Sequence, residues 1–342
     1  MKAAALARAL EADGSLDYEI VHSGQHYDEN MSKAFFKELH LKEPIVNFHI
    51  GSKRHNVFIA EFMLAFDAFI EMHPCDMVVV VGDTNTTAAA AITSSKLNIP
   101  LAHVEAGMRE WNKSIPEEVN KLLTDSVSDL FFCPSQTAAE NLVKSGVNKK
   151  VYITGDITYD LLTPDKIPSK NEICSKYVLD QNFALATCHR AATTSSKTLL
   201  TEVINGLNKI EKPILFLVHP RTQKAIETLG LSPLFKNHIK RINSINYYDT
   251  QSLIKHANFV ITDSGGIIKE SYFHKTFCII IDNQTEWVES VQQGWSVICG
   301  PNSEKIKSAA LSITLPSFHG ASFGDGQGGT RVVREIVKYL DN

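Results

Sequence analysis

The sequence carries little net charge of either sign. Its 34 lysine and arginine residues stand against 38 aspartate and glutamate residues, a formal net charge of -4 at pH 7. No overall positive field is therefore available to attract DNA or an anionic membrane surface. We expect neither nucleic acid nor a membrane as a partner, and a local site must bind any anionic ligand.

Glycine and proline are also scarce, with 18 and 12 positions among 342 residues, while 44% of the residues are hydrophobic and 21% are charged. This composition excludes a disordered, collagen-like or low-complexity chain. At roughly 150 residues per domain, the length predicts about two globular domains.

The chain has no CxxC pair among its six cysteines and no HExxH or EF-hand motif. Such motifs supply the ligand spacing of zinc and calcium sites, so we expect no bound metal. The cysteines are predicted to be reduced thiols, mostly in the core.

No uninterrupted hydrophobic segment is long enough for a signal peptide or a membrane span. The opening apolar stretch is cut by Arg8 and followed by Glu11 and Asp13, which favours the start of a helix. The longest apolar segment, residues 57–72, contains three acidic residues and spaces its phenylalanines as on one helix face. We therefore predict an amphipathic helix there and a cytoplasmic protein.

Ten short apolar runs alternate with helical stretches along the chain. Runs such as Val78 to Val81 are apolar at every position, which is typical of parallel strands covered on both faces. The alternation predicts an α/β fold of two Rossmann-like, doubly wound parallel-sheet domains facing a cleft. A Pro-, Lys- and Ser-rich linker at 163–170 suggests domains at residues 1–165 and 166–325. Residues 326–342 are predicted to form a helix that packs back toward the first domain.

Polar residues gather at the predicted carboxyl ends of the strands, where open parallel sheets bind their ligands. They are Asp83, His103, Glu105, His189, His219, Asp263 and Ser264. Two such sheet edges facing each other predict a site for a two-part ligand, with a nucleotide on one side and a sugar or acceptor on the other.

The segment ITDSGGIIKES at 261–271 follows a strand and opens a helix. Ser264, Gly265 and Gly266 would present free backbone N–H groups at the helix N-terminus, an arrangement that attracts a phosphate or diphosphate. Glycine permits close approach of the phosphate oxygens. The alternative is a plain tight turn between strand and helix.

Three carboxylates occupy comparable positions in the first half of the chain. Asp83 and Glu105 follow strands, and Glu117 lies in the first turn of a helix that begins near Pro116. Gathered together, they would form a general acid/base cluster. Alternatively, Asp83 is an N-cap and Glu117 merely offsets the helix dipole.

Two further turns each supply a histidine and an arginine. His189 with Arg190, and His219 with Arg221, could provide the positive charge for anion binding that the overall composition lacks. A lone histidine would more often be structural, but two such pairs around a glycine-rich turn favour an anion site.

Taken together, several ordered segments resemble the non-hydrolysing UDP-N-acetylglucosamine 2-epimerase family. They include GQHYDENMS, VVGDTNTTAAAA, HVEAGMRE, IPEEVNKLLTDSVSDLFFCPS, CHRA, VHPRT, TDSGG and QTEWVE, and they span residues 3–335. The resemblance implies a GT-B-type fold, a homodimer and a UDP-sugar substrate. It also implies elimination of UDP to a 2-acetamidoglucal and its re-addition on the other face, with no cofactor.

The resemblance also assigns roles to individual residues. It implies acid/base roles for Asp83, Glu105 and Glu117, a functional histidine at His189 beside the departing UDP, and a catalytic lysine at Lys2. It implies a diphosphate site at Ser264, Gly265 and Gly266, and contact of Glu270 with the ribose hydroxyls. Contacts to substrate or to a second, allosteric UDP-sugar are implied for Arg190, His219, Gln25 and His26.

Some positions depart from the family pattern. The usual first strand with its Gly-x-Arg-Pro segment is not seen before Lys2, so we expect the first domain to lack that strand and its arginine. Ala192 stands where glutamate is common, and the usual GGxQEE and TERPE become GGIIKE and TEWVE. TEWVE resembles relatives from surface-polysaccharide pathways, some of which act on diacetamido uronic acids. A GT-B glycosyltransferase and a non-catalytic UDP-sugar-binding protein remain as alternatives.

Overall fold

A computed structural model describes residues 1–24, 41–147, 150–243 and 245–342. The chain forms two compact units. Unit 1 comprises Met1–Leu162 and Ala321–Asn342, and unit 2 comprises Thr163–Gly320. Both contain parallel sheets flanked by helices, so the predicted α/β class is confirmed.

Unit 1 contains two parallel sheets among its described residues. Strands β3, β4, β5 and β6 form one sheet in that order, and β1 pairs with β2 in the other. The strands are β1 (Val21–His22), β2 (Val46–Asn47), β3 (Val78–Val81), β4 (Leu101–Val104), β5 (Leu130–Cys133) and β6 (Val151–Ile153). The helices are α1 (Lys2–Asp13), α2 (His55–Met72), α3 (Asn85–Lys96), α4 (Pro116–Val127) and α5 (Gln136–Lys144), with a 3-10 turn at Ile157–Leu161.

Helix α2 confirms the predicted amphipathic helix. Its four phenylalanines at the expected spacing are buried, namely Phe58, Phe62, Phe66 and Phe69. They pack in one cluster with Val78 and Val80 of β3 and with Val21 and Val46 of the two-stranded sheet. Burial of these rings therefore joins both sheets of unit 1 through a single helix.

The C-terminal segment belongs to unit 1. Helix α14 (Gly328–Leu340) packs against α1 and the 3-10 turn. Asp160 accepts hydrogen bonds from the Gly328 and Gly329 N–H groups at 3.0 and 2.6 Å. A carboxylate at a helix N-terminus satisfies groups that the helix itself leaves unpaired, which fixes where α14 begins.

Unit 2 contains one parallel sheet of six strands in its described residues, ordered β12-β11-β10-β7-β8-β9. These are β7 (Ala184–Cys188), β8 (Ile214–Val218), β9 (Ile239–Asn243), β10 (Val260–Thr262), β11 (Cys278–Ile280) and β12 (Ser296–Ile298). The helices are α6 (Lys170–Tyr177), α7 (Ala191–Thr194), α8 (Lys197–Asn208), α9 (Pro220–Thr228), α10 (Tyr247–His256), α11 (Gly265–Phe273), α12 (Val288–Gln292) and α13 (Ser303–Leu311). Short 3-10 turns lie at Pro164–Lys166 and Ser232–Leu234.

The burial of the strands in unit 2 explains why several of them are apolar along their whole length. Every residue of β7 and β8 is buried, whereas the edge strand β9 is fully buried only at Ile239 and exposes Lys240 and Arg241. Because all six strands are parallel, the carboxyl ends of β10, β7 and β8 meet at one edge. The turns that carry Ser264, His189 and His219 therefore become neighbours.

The cysteines are free thiols, as predicted, and only Cys75 is exposed. Burial raises the pKa of Cys133, Cys188 and Cys278, so these thiols remain protonated and unreactive. No helix among the described residues combines the length and the apolar character needed to cross a bilayer.

Acid should destabilise unit 2 before the carboxylates titrate. Burial lowers the pKa of five of its histidines, His189, His219, His256, His274 and His319. For His274, burial together with the nearby Lys255 and His256 charges lowers the pKa to about 4. The unfolded chain then binds more protons between pH 6.5 and 4, so stability present above pH 6.5 is lost as the pH falls. The pKa difference of His274 between the folded and unfolded states lowers the free energy of unfolding by about 2–3 kcal/mol when the pH reaches 4.

The melting temperature, followed by the fluorescence of the buried Trp287 and Trp295, should therefore fall from pH 7 toward pH 4. A His274→Gln variant should show a shallower pH dependence, because it removes the group that must stay uncharged. An unchanged slope would contradict this account of His274.

Candidate active site

The first carboxylate-bearing turn follows β3. Gly82 has a left-handed φ of 70°, and Asp83 comes directly after it. The N-cap of α3 is Thr84, whose hydroxyl accepts the Thr87 N–H at 3.3 Å, so the alternative of Asp83 as the N-cap is wrong. The carbonyl of Asp83 accepts a hydrogen bond from Asn120 Nδ2 at 2.9 Å, which ties this turn to α4.

The second turn follows β4 and is held in a costly conformation. Glu105 has a φ of 70°, in the left-handed region that disfavours residues other than glycine. The N–H groups of Glu105 and Ala106 both donate to the Phe132 carbonyl at 3.0 Å. Two hydrogen bonds to a neighbouring strand thus hold the Glu105 side chain at the sheet edge.

Lys2 joins these two turns. Its ammonium forms an ion pair with Glu105 Oε2. The Lys2 Nζ also lies 2.7 Å from where a Cβ would stand on Gly82, so only glycine allows this approach. The structure therefore brings together Lys2, the Asp83 turn and Glu105, three of the five residues predicted to be catalytic.

Glu117 lies in the exposed first turn of α4. Residues three apart share a helix face, and Asn120, three residues later, is the residue that contacts the Asp83 turn. Glu117 therefore lies on the same side of α4 as Asn120. Sequence reasoning missed Asn120, although its spacing from Glu117 was a usable signal.

The adjacent Glu118 has a structural role. It is fully buried and forms an ion pair with Lys121 at 3.0 Å. Its two carboxylate oxygens accept the N–H groups of Glu110 and Trp111 at 2.9 and 3.0 Å. Glu118 thus holds the loop that leads into α4 and leaves the exposed position to Glu117.

His103 does not face a ligand, contrary to the sequence-based expectation. The side chain is fully buried, with Nδ1 2.6 Å from Asp125 Oδ1 and Nε2 2.9 Å from the Gly82 carbonyl. His103 lies within β4, two residues before Glu105, and β4 is buried at every position. Both ring nitrogens are therefore used inside the protein.

The turn after β10 carries the glycine-rich segment of unit 2. Ser264 is the N-cap of α11, and its N–H donates to Thr262 Oγ1 at 2.9 Å. Within the described part of the chain, the N–H groups of Gly265, Gly266 and Ile267 have no hydrogen-bond partner. A Cβ on Gly266 would meet nothing closer than Ser264 Oγ at 3.8 Å. This helix N-terminus is open to an anion.

The corresponding turn after β7 is closed by the protein itself. Asp263 is buried, and its carboxylate accepts the N–H groups of His189 and Arg190 at 2.9 Å. The Cys188 thiol donates to the same carboxylate at 3.4 Å. The expectation that Asp263 faces a ligand is therefore wrong, since this residue positions the His189 turn instead.

His189 and His219 lie side by side, with ring centroids 5.4 Å apart. His219 Nδ1 accepts the Arg221 N–H at 3.2 Å, and Arg221 NH1 donates to the His189 carbonyl at 3.1 Å. Burial lowers the pKa of His189, an effect that Asp263 opposes and that Arg190 and Arg221 reinforce. Burial lowers the pKa of His219 as well, so both rings are uncharged near neutral pH.

The remaining predicted residues have varied surroundings. Arg190 forms an ion pair with Asp282 at 2.9 Å. Glu270 is buried on α11, one turn beyond Gly266. Gln25 and His26 lie outside the described residues.

Two departures from the family pattern contact each other. The Lys269 ammonium lies 4.8 Å from the centroid of the Trp287 ring, and both side chains are buried. The Trp287 Nε1 atom lies 3.2 Å from the position of a Cβ on Gly265. The two substitutions thus form a cation–π pair beside the open helix N-terminus.

The fold and these turns define a two-domain α/β protein of the GT-B type, with an open helix N-terminus in one unit and carboxylate-bearing turns in the other. The sequence profile of the UDP-N-acetylglucosamine 2-epimerase family matches residues 8–337. The chain therefore belongs to that family, whose members are isomerases.

Individual relatives agree with this assignment. A UDP-N-acetylglucosamine 2-epimerase homolog of Methanococcus maripaludis is 39% identical over 331 residues, covering 94% of this chain and 92% of that protein. The UDP-2,3-diacetamido-2,3-dideoxy-D-glucuronate 2-epimerase of Pseudomonas aeruginosa is 35% identical and covers 99% and 96% of the two chains. The crystal structure of Methanocaldococcus jannaschii UDP-GlcNAc 2-epimerase in complex with UDP-GlcNAc and UDP is 34% identical, with a TM-score of 0.88 over 99% and 96%.

Proposed function

We propose that the protein inverts the configuration at C2 of UDP-N-acetylglucosamine, or of a related UDP-sugar with a 2-acetamido group. The observation that carries this proposal is the contact of Lys2 with both Glu105 and the Asp83 turn, in a chain of this family. Proton transfer at a carbon requires a positioned general base and acid, and these carboxylates can fill both roles. The reaction needs no net change in oxidation state.

The nucleotide half of the substrate is assigned to unit 2. The open N–H groups of Gly265 and Gly266 are suited to the diphosphate. A cavity of about 610 Å³ lies at the ends of β8 and β9, lined by Val218, Gln223, Arg241, Ile242 and Asn243. Strands β10 and β8 are two positions apart, which is about 10 Å at the usual strand spacing. The cavity and the α11 N-terminus thus lie at the carboxyl edge of the same sheet, which supports the cavity as the uracil site.

The chemical step begins with removal of the C2 proton by a carboxylate of unit 1. The C2–H electron pair forms the C1=C2 double bond, the C1–O bond breaks, and UDP departs with its negative charge. The N–H groups at the α11 N-terminus, together with His189, stabilise that charge. UDP then adds back to C1, and a proton is delivered to C2 on the opposite face.

The three carboxylates have different surroundings, which suits them to different proton transfers. Glu105 forms an ion pair with the Lys2 ammonium. Glu117 is exposed and can exchange protons with water. Asp83 is partly buried on the turn that Asn120 holds, and we assign it the transfer at C2. Two acids on opposite faces of the sugar are needed to invert a centre.

The proposal is tested by supplying UDP-N-acetylglucosamine and UDP-2,3-diacetamido-2,3-dideoxyglucuronate separately and following product by proton NMR. We expect the manno-configured epimer from at least one of them. UDP binding measured by calorimetry without any epimer from either sugar would instead identify a non-catalytic UDP-sugar-binding protein. The TEWVE segment favours a modified sugar used in surface-polysaccharide synthesis in the cytoplasm.

Substitution of Gly266 tests the diphosphate site. Gly266→Ala has room in the folded protein, so the melting temperature should change by no more than about 2 °C. The new methyl group enters the space proposed for the phosphate oxygens, and UDP affinity should fall by about 10-fold to 100-fold. Isothermal titration with UDP measures this loss. Gly230→Ala, just beyond the C-terminal end of α9, is the control for UDP affinity alone, because its left-handed φ of 67° makes some loss of stability expected there. Undiminished affinity in Gly266→Ala would reject the assignment.

The proposal also includes a homodimer. Three apolar side chains on α2, Val57, Leu64 and Met72, are exposed at spacings of seven and eight residues and therefore form one stripe. Exposed apolar stripes of this kind mark protein interfaces, and a second copy is the occupant that we propose. Light scattering should give twice the mass of the chain for the wild type and a monomer for Leu64→Glu. A monomeric wild type would contradict the proposed dimer.

A further inference from the structure

A buried charged network lies beneath the carboxylate turns of unit 1, and the proposed mechanism does not use it. Its members are His103, Asp125 and Arg109, none of them more than 5% exposed. Asp125 Oδ1 lies 2.6 Å from His103 Nδ1, and Asp125 Oδ2 lies 2.6 Å from Arg109 NH1. Removing such charges from water is costly, so their retention calls for an explanation.

Two members of this network, His103 and Asp125, each contact a backbone group close to a proposed acid/base residue. His103 Nε2 lies 2.9 Å from the carbonyl of Gly82, the residue before Asp83. Asp125 Oδ2 accepts the Gly107 N–H at 3.2 Å, two residues beyond Glu105. The network therefore joins the Asp83 turn to the Glu105 turn through side chains alone.

The same network includes the helix that carries the third acid. Asp125 belongs to α4, which begins with Glu117 in its first turn. The second link between α4 and the Asp83 turn is the Asn120 amide described above. The buried network therefore contacts or includes part of each segment that carries Asp83, Glu105 or Glu117.

The Glu105 turn needs external support. Glu105 and Gly107 both have left-handed φ values, 70° and 78°. A Cβ on Gly107 would lie 2.1 Å from the Ala138 carbonyl oxygen, so the backbone is pressed against α5. Interactions from surrounding groups must hold a strained turn of this kind in place.

Hydrogen bonding fixes the orientation of the network. Both ring nitrogens of His103 lie within hydrogen-bond distance of an oxygen, one of the Asp125 carboxylate and one of the Gly82 carbonyl. Burial raises the pKa of Asp125, but the His103 and Arg109 charges outweigh it and hold that pKa below its usual range. The carboxylate therefore stays ionised, and the imidazole ring has one favourable orientation.

We propose that the His103–Asp125–Arg109 network positions Asp83 and Glu105 for proton transfer at the sugar, with His103 as the positioning residue for the Asp83 turn. This inference rests on the proposed epimerase function. A displacement of about 1 Å can cost about 100-fold in rate, so the network would act on the chemical step. Nucleotide binding, assigned to unit 2, would be unaffected.

The test compares His103→Phe, which keeps an aromatic ring but loses both hydrogen bonds, with His103→Gln, which can still donate to the Gly82 carbonyl. We expect kcat for epimerisation to fall about 100-fold in His103→Phe, with partial recovery of about 10-fold in His103→Gln. The Kd for UDP should stay within about threefold of the wild type. Asp129→Asn, which alters a carboxylate at the opposite end of β4, is the control.

Hydrogen exchange measured by mass spectrometry distinguishes the possible outcomes. In the His103 variants, amides near residues 82–84 and 105–108 should exchange faster while unit 2 remains protected. A kcat that falls only in proportion to the folded fraction, or equal activities for the Phe and Gln variants, would overturn the positioning role. Absence of epimerisation in the wild type would reject the proposed function, and unchanged exchange at those amides would then reject the network's role separately. If His103→Phe fails to fold, Asp125→Asn and His103→Gln provide the same comparison.

Discussion

Replacement of Asp83 by asparagine is expected to lower kcat for epimerisation by about 10²-fold to 10⁴-fold, the range for loss of a general acid or base. Asparagine keeps the shape of the turn, and the hydrogen bond from Asn120 goes to the Asp83 backbone carbonyl, which the substitution retains. The fold and the position of α4 should therefore survive, while the group that moves the proton is lost. Coupled measurement of kcat and of UDP affinity checks the prediction.

Asp67→Asn is the matched control for this experiment. Asp67 is an exposed aspartate on α2, in the same unit and outside the cluster. Its replacement should leave kcat within about twofold, because surface substitutions have small effects. A kcat for Asp83→Asn that matches this control would remove Asp83 from the mechanism.

The second large effect is expected from Asp263→Asn. The buried carboxylate accepts two backbone N–H groups and a thiol at once, and an amide cannot accept on its nitrogen side. The amide oxygen can replace Oδ2, which contacts all three donors, but the amide nitrogen then replaces Oδ1, which lies 2.9 Å from the His189 N–H. Two donors facing each other in a buried site, with the carboxylate charge lost, should lower the free energy of unfolding by about 2–4 kcal/mol. Urea denaturation monitored by tryptophan fluorescence measures this difference.

The same variant should change the titration of His189. Asp263 raises the pKa of His189 against the lowering effect of burial, so removal of its charge should lower that pKa further. NMR titration of the imidazole reports the shift directly. Asp282→Asn, which alters a partly exposed carboxylate paired with Arg190, should cost no more than about 1 kcal/mol. Equal losses of unfolding free energy in Asp263→Asn and Asp282→Asn would contradict the role of Asp263 in holding the His189 turn.

The fold class could be read from the sequence because the strands are parallel and buried. Their continuous apolar runs, such as Val78–Val81, differ clearly from the spaced phenylalanines of α2. The same burial limits what can be predicted at the strand ends. Since both faces of such strands are covered, alternation does not tell whether a polar residue points inward or toward a ligand. For this reason the prediction from sequence that His103 faces a ligand is wrong, since its side chain points into the protein.

The two helix N-termini of unit 2 show a second limit. The turns after β7 and β10 look similar in sequence, as each carries polar residues between a strand and a helix. They differ because Asp263 reaches across to the His189 N–H, a contact between residues 74 positions apart. Local patterns contain no information on such contacts. The glycines at 265 and 266, by contrast, were a local signal, and they mark the N-terminus that remains open.

The proposed reaction requires that the hydrogen at C2 of the sugar exchange with solvent. The most direct measurement is proton NMR and mass spectrometry of the UDP-sugar pool after incubation in D2O. We predict one deuterium at C2 of the epimer formed by the wild type, and incorporation that is about 10²-fold to 10⁴-fold slower with Asp83→Asn. An epimer that keeps its original C2 hydrogen, or the absence of exchange with both UDP-sugars, would contradict proton transfer by the Lys2, Asp83 and Glu105 cluster.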